Sequence, residues 1–259
     1  MLDQLASHLT LWTPATALAV AGAALLAGFI RGFLGFGGAM IIIMVLNVTL
    51  GPLMAVAVAC LSGLPATVQL LPTAVRHSER GFVVPFATAS ILAAPLGTWL
   101  LVSVDPAVMK VAIAATVLVM LALLLRGMRI AVALGPRALF GAGFATGLVQ
   151  GLTGMGGPPA VTIALARDGT PERQRANVIG AVTALALCAI VPLAWHGLFT
   201  LDAVIAAIAV VPLYSGATWW GARYFSAGGS AHYRRAALLA LGVVGLVTFS
   251  MALRDVYGF

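Results

Sequence analysis

Apolar residues run along this chain in ten blocks, at roughly 13–34, 39–50, 53–72, 82–103, 106–125, 138–153, 158–166, 176–195, 201–222 and 236–253. The blocks are continuous rather than alternating. About 20 apolar residues make a helix that crosses a bilayer, whereas a membrane barrel shows alternating strands of about ten residues. The pattern therefore predicts an all-α polytopic membrane protein. Two blocks, 39–50 and 158–166, are too short to cross alone, and each directly follows a glycine-rich stretch.

Those stretches are GFIRGFLGFGGAM, from Gly28 to Met40, and GLVQGLTGMGGPP, from Gly147 to Pro159. Gly28, Gly32, Gly35, Gly37 and Gly38 superimpose without a gap on Gly147, Gly151, Gly154, Gly156 and Gly157. The same shift of 119 residues carries Pro52 onto Pro171, His77 onto His196 and Gly97 onto Gly216. This predicts an internal duplication, with a first transmembrane repeat over 1–131 and a second over 132–259.

The loops at 73–81, 126–137, 167–175 and 223–235 hold eleven arginines: Arg76, Arg80, Arg126, Arg129, Arg137, Arg167, Arg173, Arg175, Arg223, Arg234 and Arg235. They all lie on one side if 138–166 enters the membrane and turns back at its glycines. They divide between two sides if it crosses once. Positive loops stay in the cytoplasm, which favours the turn. The expected fold is two inverted repeats, each a glycine-broken helical hairpin followed by three spanning helices, with both termini external.

Composition sharpens this. With 62% hydrophobic and 8% charged residues and a mean hydropathy of +1.09, a water-soluble globule is excluded. The net charge of +7 resides in short loops, so topology explains it better than a nucleic-acid partner. The chain begins Met1-Leu2-Asp3, without a basic leader. Ala19–Ala21 resembles a cleavage site, but its block runs on into the glycine stretch, so a retained helix is expected in a bacterial inner membrane. Cys60 and Cys188 lie inside apolar blocks and read as small core residues, and no cofactor or metal is implied.

Glycine permits a sharp turn and close approach of a ligand to the backbone. Exposed backbone inside a bilayer is tolerated only where protein buries it or it lines a polar cavity. Pro158 and Pro159 suit a first helical turn, so 158–166 reads as a half-helix whose start, with its unpaired amides and positive dipole, attracts an anion. Its mate begins near Ala39. The expected binding residues are Gly35, Gly37, Gly38, Gly154, Gly156 and Gly157, with Thr153 and Gln69 as further cavity candidates. Arg31 is read as the one arginine within a span, a costly placement that points to an anion clamp. Gln150 holds the twin position and offers a neutral hydrogen bond. Gly28 and Gly32 read equally well as packing notches. Asn177 could face the site or cap a helix. Most span Ser and Thr hydroxyls are expected to bond their own helix. His77 and His196 read as solvated, and the Trp residues as interfacial anchors.

These paired glycine blocks, one opening each half of a chain of 259 residues, resemble the TauE/SafE family of sulfite exporters. The likeness covers nearly the whole chain and departs at Pro158-Pro159, where apolar residues often stand. It implies transport of sulfite, sulfoacetate or related sulfonates, by an exporter or by an uptake permease of the same anion class. The expected partners are a small anion and the lipid bilayer, and glycine-rich faces allow a homodimer. No Asp or Glu marks the middle of a span, so no carboxylate proton relay is visible. An enzyme is not expected. A serine hydrolase built on Ser215 and His196 lacks a nucleophile frame. A membrane scaffold gives no reason for two glycine hairpins.

Overall fold

The computed structural model describes residues 14–104 and 135–228 except 155, 166 and 168, and beyond them 232, 233, 235–237, 239, 240 and 243. Every regular element among the described residues is helical. In chain order these are α1 (Pro14–Leu34), α2 (Gly38–Leu50), α3 (Pro52–His77), α4 (Arg80–Ser103), α5 (Pro136–Thr153), α6 (Gly157–Leu165), α7 (Pro171–Trp195) and α8 (Leu201–Ser226). Five of them, α1, α3, α4, α7 and α8, are long and apolar enough to cross a membrane. The repeat boundary at 131/132, the block at 106–125, Arg126 and Arg129 and both chain ends lie outside the described residues.

Local chemistry explains the helix limits. Thr170 accepts a hydrogen bond from the Arg173 amide, Pro171 sits in the first turn and Glu172 meets the positive helix end. Thr200 caps α8 in the same way through the Ala203 amide, with Asp202 in the first turn. Both half-helices follow a glycine break. The Gly35 amide closes α1 on the Arg31 carbonyl at 2.8 Å, and the Gly154 amide closes α5 on the Gln150 carbonyl at 2.8 Å. Gly35, Gly37 and Gly154 then take φ of +87°, +88° and +69°, which side chains with a Cβ avoid. The chain doubles back: a Cβ on Gly38 would stand 2.9 Å from the Ala27 carbonyl oxygen, and one on Gly156 2.9 Å from that of Thr146. A continuing helix would carry Gly38 about 16 Å past Ala27.

Packing repeats across the halves. α1 runs parallel to α8, with Gly28 against Tyr214, Gly32 against Thr218 and Gly221 against Phe29 and Phe33. Its counterpart pairs α4 with α5, also parallel, with Gly143, Gly147 and Gly151 against Phe86, Ser90 and Ala94. Gly28 and Gly32 are thus packing notches, each facing a carbonyl that a methyl group would strike. The same close approach lets Ser90 Oγ donate to the Gly143 carbonyl at 3.0 Å. The glycine faces that the sequence offered to a second copy are in large part used within this chain. α3 and α7 pack on one another, and α4 lies on α7 as α8 lies on α3. The shift of 119 residues exchanges these pairings, α1 for α5, α3 for α7 and α4 for α8.

α3 and α7 run in opposite directions. Ile179 clusters with Leu70 and Ala74 near the end of α3, while Ala189 and Leu193 cluster with Ala55–Ala59 near its start. The basic segments gather at one end of the bundle. Arg167 Nη2 donates to Glu79 Oε2 at 2.7 Å, joining the loop between α3 and α4 to the one before α7. Asn177 reaches the same place, its Oδ1 accepting from the Glu79 amide at 2.7 Å, so it braces this junction rather than facing a cavity. Phe33, Phe82, Leu139, Phe225 and Tyr233 share one core cluster beneath that end. Exposed Trp99, Trp195, Trp219 and Trp220 lie on the outer surface.

Candidate functional site

Both glycine breaks reach one cavity of about 60 Å³. From the first come Arg31, Gly37, Ala39 and Met40, and from the second Gln150, Gly154 and Gly157. α3 contributes Val56, Cys60, Gly63 and Thr67, α7 contributes Val182, Leu185 and Leu193, and α8 contributes Tyr214. The space holds a few waters or one small ion, not a drug-sized ligand.

Arg31 lies in the last turn of α1 and is 5% exposed. Its Nη2 donates to Thr67 Oγ1 at 3.0 Å and its Nη1 to the Gly35 carbonyl at 3.3 Å, while Nε is buried without a partner. Thr67 can accept because its own proton goes to the Gly63 carbonyl at 2.9 Å. Among the described residues Arg31 pairs with no carboxylate, whereas Arg167 pairs with Glu79. A buried guanidinium with a free N–H and no counter-charge strongly attracts an anion.

Gln150, the twin of Arg31, plays a different part. Its Oε1 accepts from the Gly156 amide at 2.8 Å, so the side chain expected to bind ligand closes its own turn. Arg31 likewise braces its turn, through Gly35. Gly37, Gly154 and Gly157 line the cavity, and Gly157 has open space where a Cβ would stand. Gly38 shapes the wall indirectly, since a Cβ there would come within 2.0 Å of the Tyr214 hydroxyl. Gly35 and Gly156 set the turns from beneath. Thr153 is fully buried, its hydroxyl donating to the Val149 carbonyl at 2.8 Å, and it is absent from the cavity wall. Gln69, expected in the cavity, is instead exposed on the outer face of α3, two residues and so about 200° around the helix from the buried Thr67.

Two buried polar positions escape a reading by apolar blocks. Tyr214, 2% exposed, reaches the cavity from the middle of α8. Arg175, placed by the sequence in a solvated loop, lies in the second turn of α7 and is 4% exposed. Its Nε donates to the Phe33 carbonyl at 2.9 Å and its Nη2 to the Gly32 carbonyl at 2.5 Å, with its guanidinium 4.2 Å from the centre of the Phe225 ring. Tyr233 donates to the next carbonyl, Leu34, at 3.0 Å. Together they satisfy the bare C-terminal carbonyls of α1 and meet its negative end. The Thr170-Pro171-Glu172 helix start was the available signal, for it puts Arg175 inside a helix rather than before one.

At the basic end, burial pushes the Glu79 carboxyl up. Hydrogen bonds from Arg167 and Asn177 and the charges of Arg167 and Arg173 outweigh it and hold the carboxyl below its ordinary range. Among the described residues no three His, Cys, Asp or Glu side chains group to hold a metal ion. His196 is exposed at the end of α7. Ser215, fourteen residues into α8, is about 20 Å along that helix from its start. A serine nucleophile there has no histidine base from that loop.

No curated protein and no solved structure matches the chain. A family model, described as Sulfite exporter TauE/SafE, matches residues 20–248. That match takes in both glycine breaks, the cavity they share and most of the chain, and the protein accordingly belongs to the TauE/SafE family of membrane transporters for sulfite-like anions.

Proposed function

We propose that the protein is a secondary transporter or facilitator that exports a small organic or sulfur oxoanion, such as sulfite or a sulfonate, bound between the two glycine turns. The carrying observation is Arg31, a buried guanidinium in a cavity wall with an unpartnered Nε and no carboxylate partner among the described residues. An arginine in such a place costs about 2.5–3.5 kcal/mol on insertion scales, a cost that an anion offsets. The starts of α2 and α6 add helix dipole at the same cavity.

In this reading the halves are inverted repeats. Support comes from the exchange of helix pairings at a constant shift and from the opposed directions of α3 and its twin α7. A two-fold axis in the membrane plane produces both, and it brings the two turns to one depth. The end holding Arg76, Arg80, Arg137, Arg167, Arg173 and Arg223 is assigned to the cytoplasm of a bacterial inner membrane.

A monovalent anion leaving an inside-negative cell gains about 2.3 kcal/mol per 100 mV, so export runs on voltage alone while uptake needs a coupled cation. Purified protein in proteoliposomes tests this. Sulfite efflux should accelerate when the interior is made negative, and Arg31→Ala should stop it. Voltage-insensitive efflux would reject the exporter in favour of a coupled permease, and undiminished flux in Arg31→Ala would reject the site.

A further inference from the structure

The two sides of the cavity are unlike. Among the described residues Arg31 is the single charged side chain in its wall. The polar groups beside it, Thr67 and Tyr214, have apolar twins: the shift of 119 residues carries Thr67 onto Ala186 and Pro95 onto Tyr214. The other buried guanidinium, Arg175, is turned to carbonyls of α1 and the Phe225 ring and is absent from the cavity wall. Met40, Ile43, Val56, Val182, Leu185 and Leu193 make most of the remaining wall hydrocarbon, with the neutral Gln150 and Cys60 among them.

We propose that this site selects singly charged oxoanions bearing at most a short apolar group, alkane monosulfonates and the hydrogensulfite form of sulfite, and discriminates against dianions such as sulfoacetate and sulfate. The inference rests on the anion-site reading above. One guanidinium neutralises one negative charge. A second negative charge would be stripped of water with nothing to pair with, and an unpaired buried charge is strongly unfavourable. Arg31 lines the cavity and its two protein hydrogen bonds use only part of its guanidinium, whose planar fork suits two oxygens of one sulfonate. The apolar wall accepts a methyl or ethyl group and gives a second carboxylate no donor beyond neutral ones.

The test is equilibrium binding to the full-length protein in nanodiscs at fixed ionic strength, comparing ethanesulfonate, sulfoacetate and sulfate. Ethanesulfonate should bind on the order of 100-fold more tightly than either dianion, equivalent to about 2.7 kcal/mol. Sulfite adds an internal control, because it changes between mono- and dianion near neutral pH whereas ethanesulfonate does not. Apparent affinity for total sulfite should rise as pH falls, while that for ethanesulfonate stays level. The level profile also accounts for the titratable groups facing the cavity: Arg31 from α1, Cys60 from α3 and Tyr214 from α8. Dianions binding as tightly as ethanesulfonate, with both lost in Arg31→Met, would overturn the charge selection and leave the anion site standing. Ethanesulfonate binding unchanged in Arg31→Met would overturn both. A gain of function supplies a second measure: Ala186→Lys adds a cation to the cavity wall while leaving both turn-closing side chains in place, and should move the preference toward sulfoacetate by at least about tenfold. An unmoved ratio in a folded variant would count against the proposal.

Discussion

Replacing Arg31 with methionine removes the guanidinium but keeps an unbranched side chain, so it separates the cost of holding a charge in the bundle from the use made of it. Holding the charge costs about 2.5–3.5 kcal/mol on insertion scales. Opposing that cost are two hydrogen bonds from a charged donor, a good one of 3.0 Å to Thr67 and a longer one of 3.3 Å to the Gly35 carbonyl. Such bonds contribute about 1.5–3 kcal/mol each when well formed, and less at the longer distance. The terms nearly cancel, so the ligand-free variant should unfold within roughly 1–2 kcal/mol of the wild type.

Anion binding behaves differently, because nothing cancels its loss. Removing one partner of a buried charge pair costs about 3–5 kcal/mol, which is more than a hundredfold in affinity. Thermal unfolding in detergent with and without ethanesulfonate reads both terms together. At about 100 times the dissociation constant the anion should stabilise the wild type by about 2.7 kcal/mol, and a variant bound a hundredfold more weakly by about 0.4 kcal/mol. An equal anion-dependent shift in Arg31→Met would refute the clamp. A ligand-free variant that fails to fold would refute the near-cancellation and make the Arg31 brace indispensable to its turn.

Three further substitutions probe the glycine turns and the basic end. Gly38→Ala brings a methyl group to 2.0 Å from the Tyr214 hydroxyl and should destabilise by about 1–3 kcal/mol, with Tyr214→Phe restoring part of the loss; a double-mutant cycle with no coupling would contradict this contact. Gly157→Ala meets no atom within 4 Å and has no left-handed backbone to strain, so unfolding should be unchanged or up to about 1 kcal/mol more favourable to the fold, while flux falls because the methyl enters the cavity. Normal flux there would mean the substrate passes elsewhere. The lowered Glu79 pKa means that its ion pair with Arg167 contributes fully above the ordinary value of 4.5 and is lost as pH falls through the lower folded value. For a pair so near the surface the contribution is about 0.2–1 kcal/mol, so Glu79→Gln should remove an acid-dependent step of that size from the stability profile.

The fold was legible where physics acts locally. Blocks of about 20 apolar residues need no tertiary information to become spanning helices, and the ungapped glycines marked both turns because few other residues reverse a chain so tightly. Thr170-Pro171-Glu172 likewise marks the start of α7, yet weighing Arg175 only as a loop charge hid it. A residue one turn inside a helix start faces whichever neighbour the fold supplies, here the bare carbonyls of Gly32 and Phe33. Tyr214 and Gln69 show the same limit from opposite directions. Within a lipid-embedded bundle both faces of a helix are apolar, so periodicity does not tell inside from outside. Tyr214 turned inward against Gly38 and Gln69 outward, and only the packing of α8 on α1 and of α3 on α7 decides which.

The two glycine turns differ in the backbone group that each leaves open. Each turn needs a side chain four or six residues back to satisfy its open backbone. Arg31 does this by donating to the Gly35 carbonyl, Gln150 by accepting from the Gly156 amide. Only an acceptor can meet an amide, so an arginine at 150 would leave the Gly156 N–H unpaired as well as adding a second buried cation. A glutamine at both positions would close both turns and leave no charge to draw an anion from water. The bond to Thr67 leaves Arg31 held but not neutralised, and the residue lies in the cavity wall. The two turns share their glycines but not the backbone group that each side chain satisfies, so the Gln150 oxygen is spent on the Gly156 amide while Arg31 braces its turn and keeps a charge in the cavity wall.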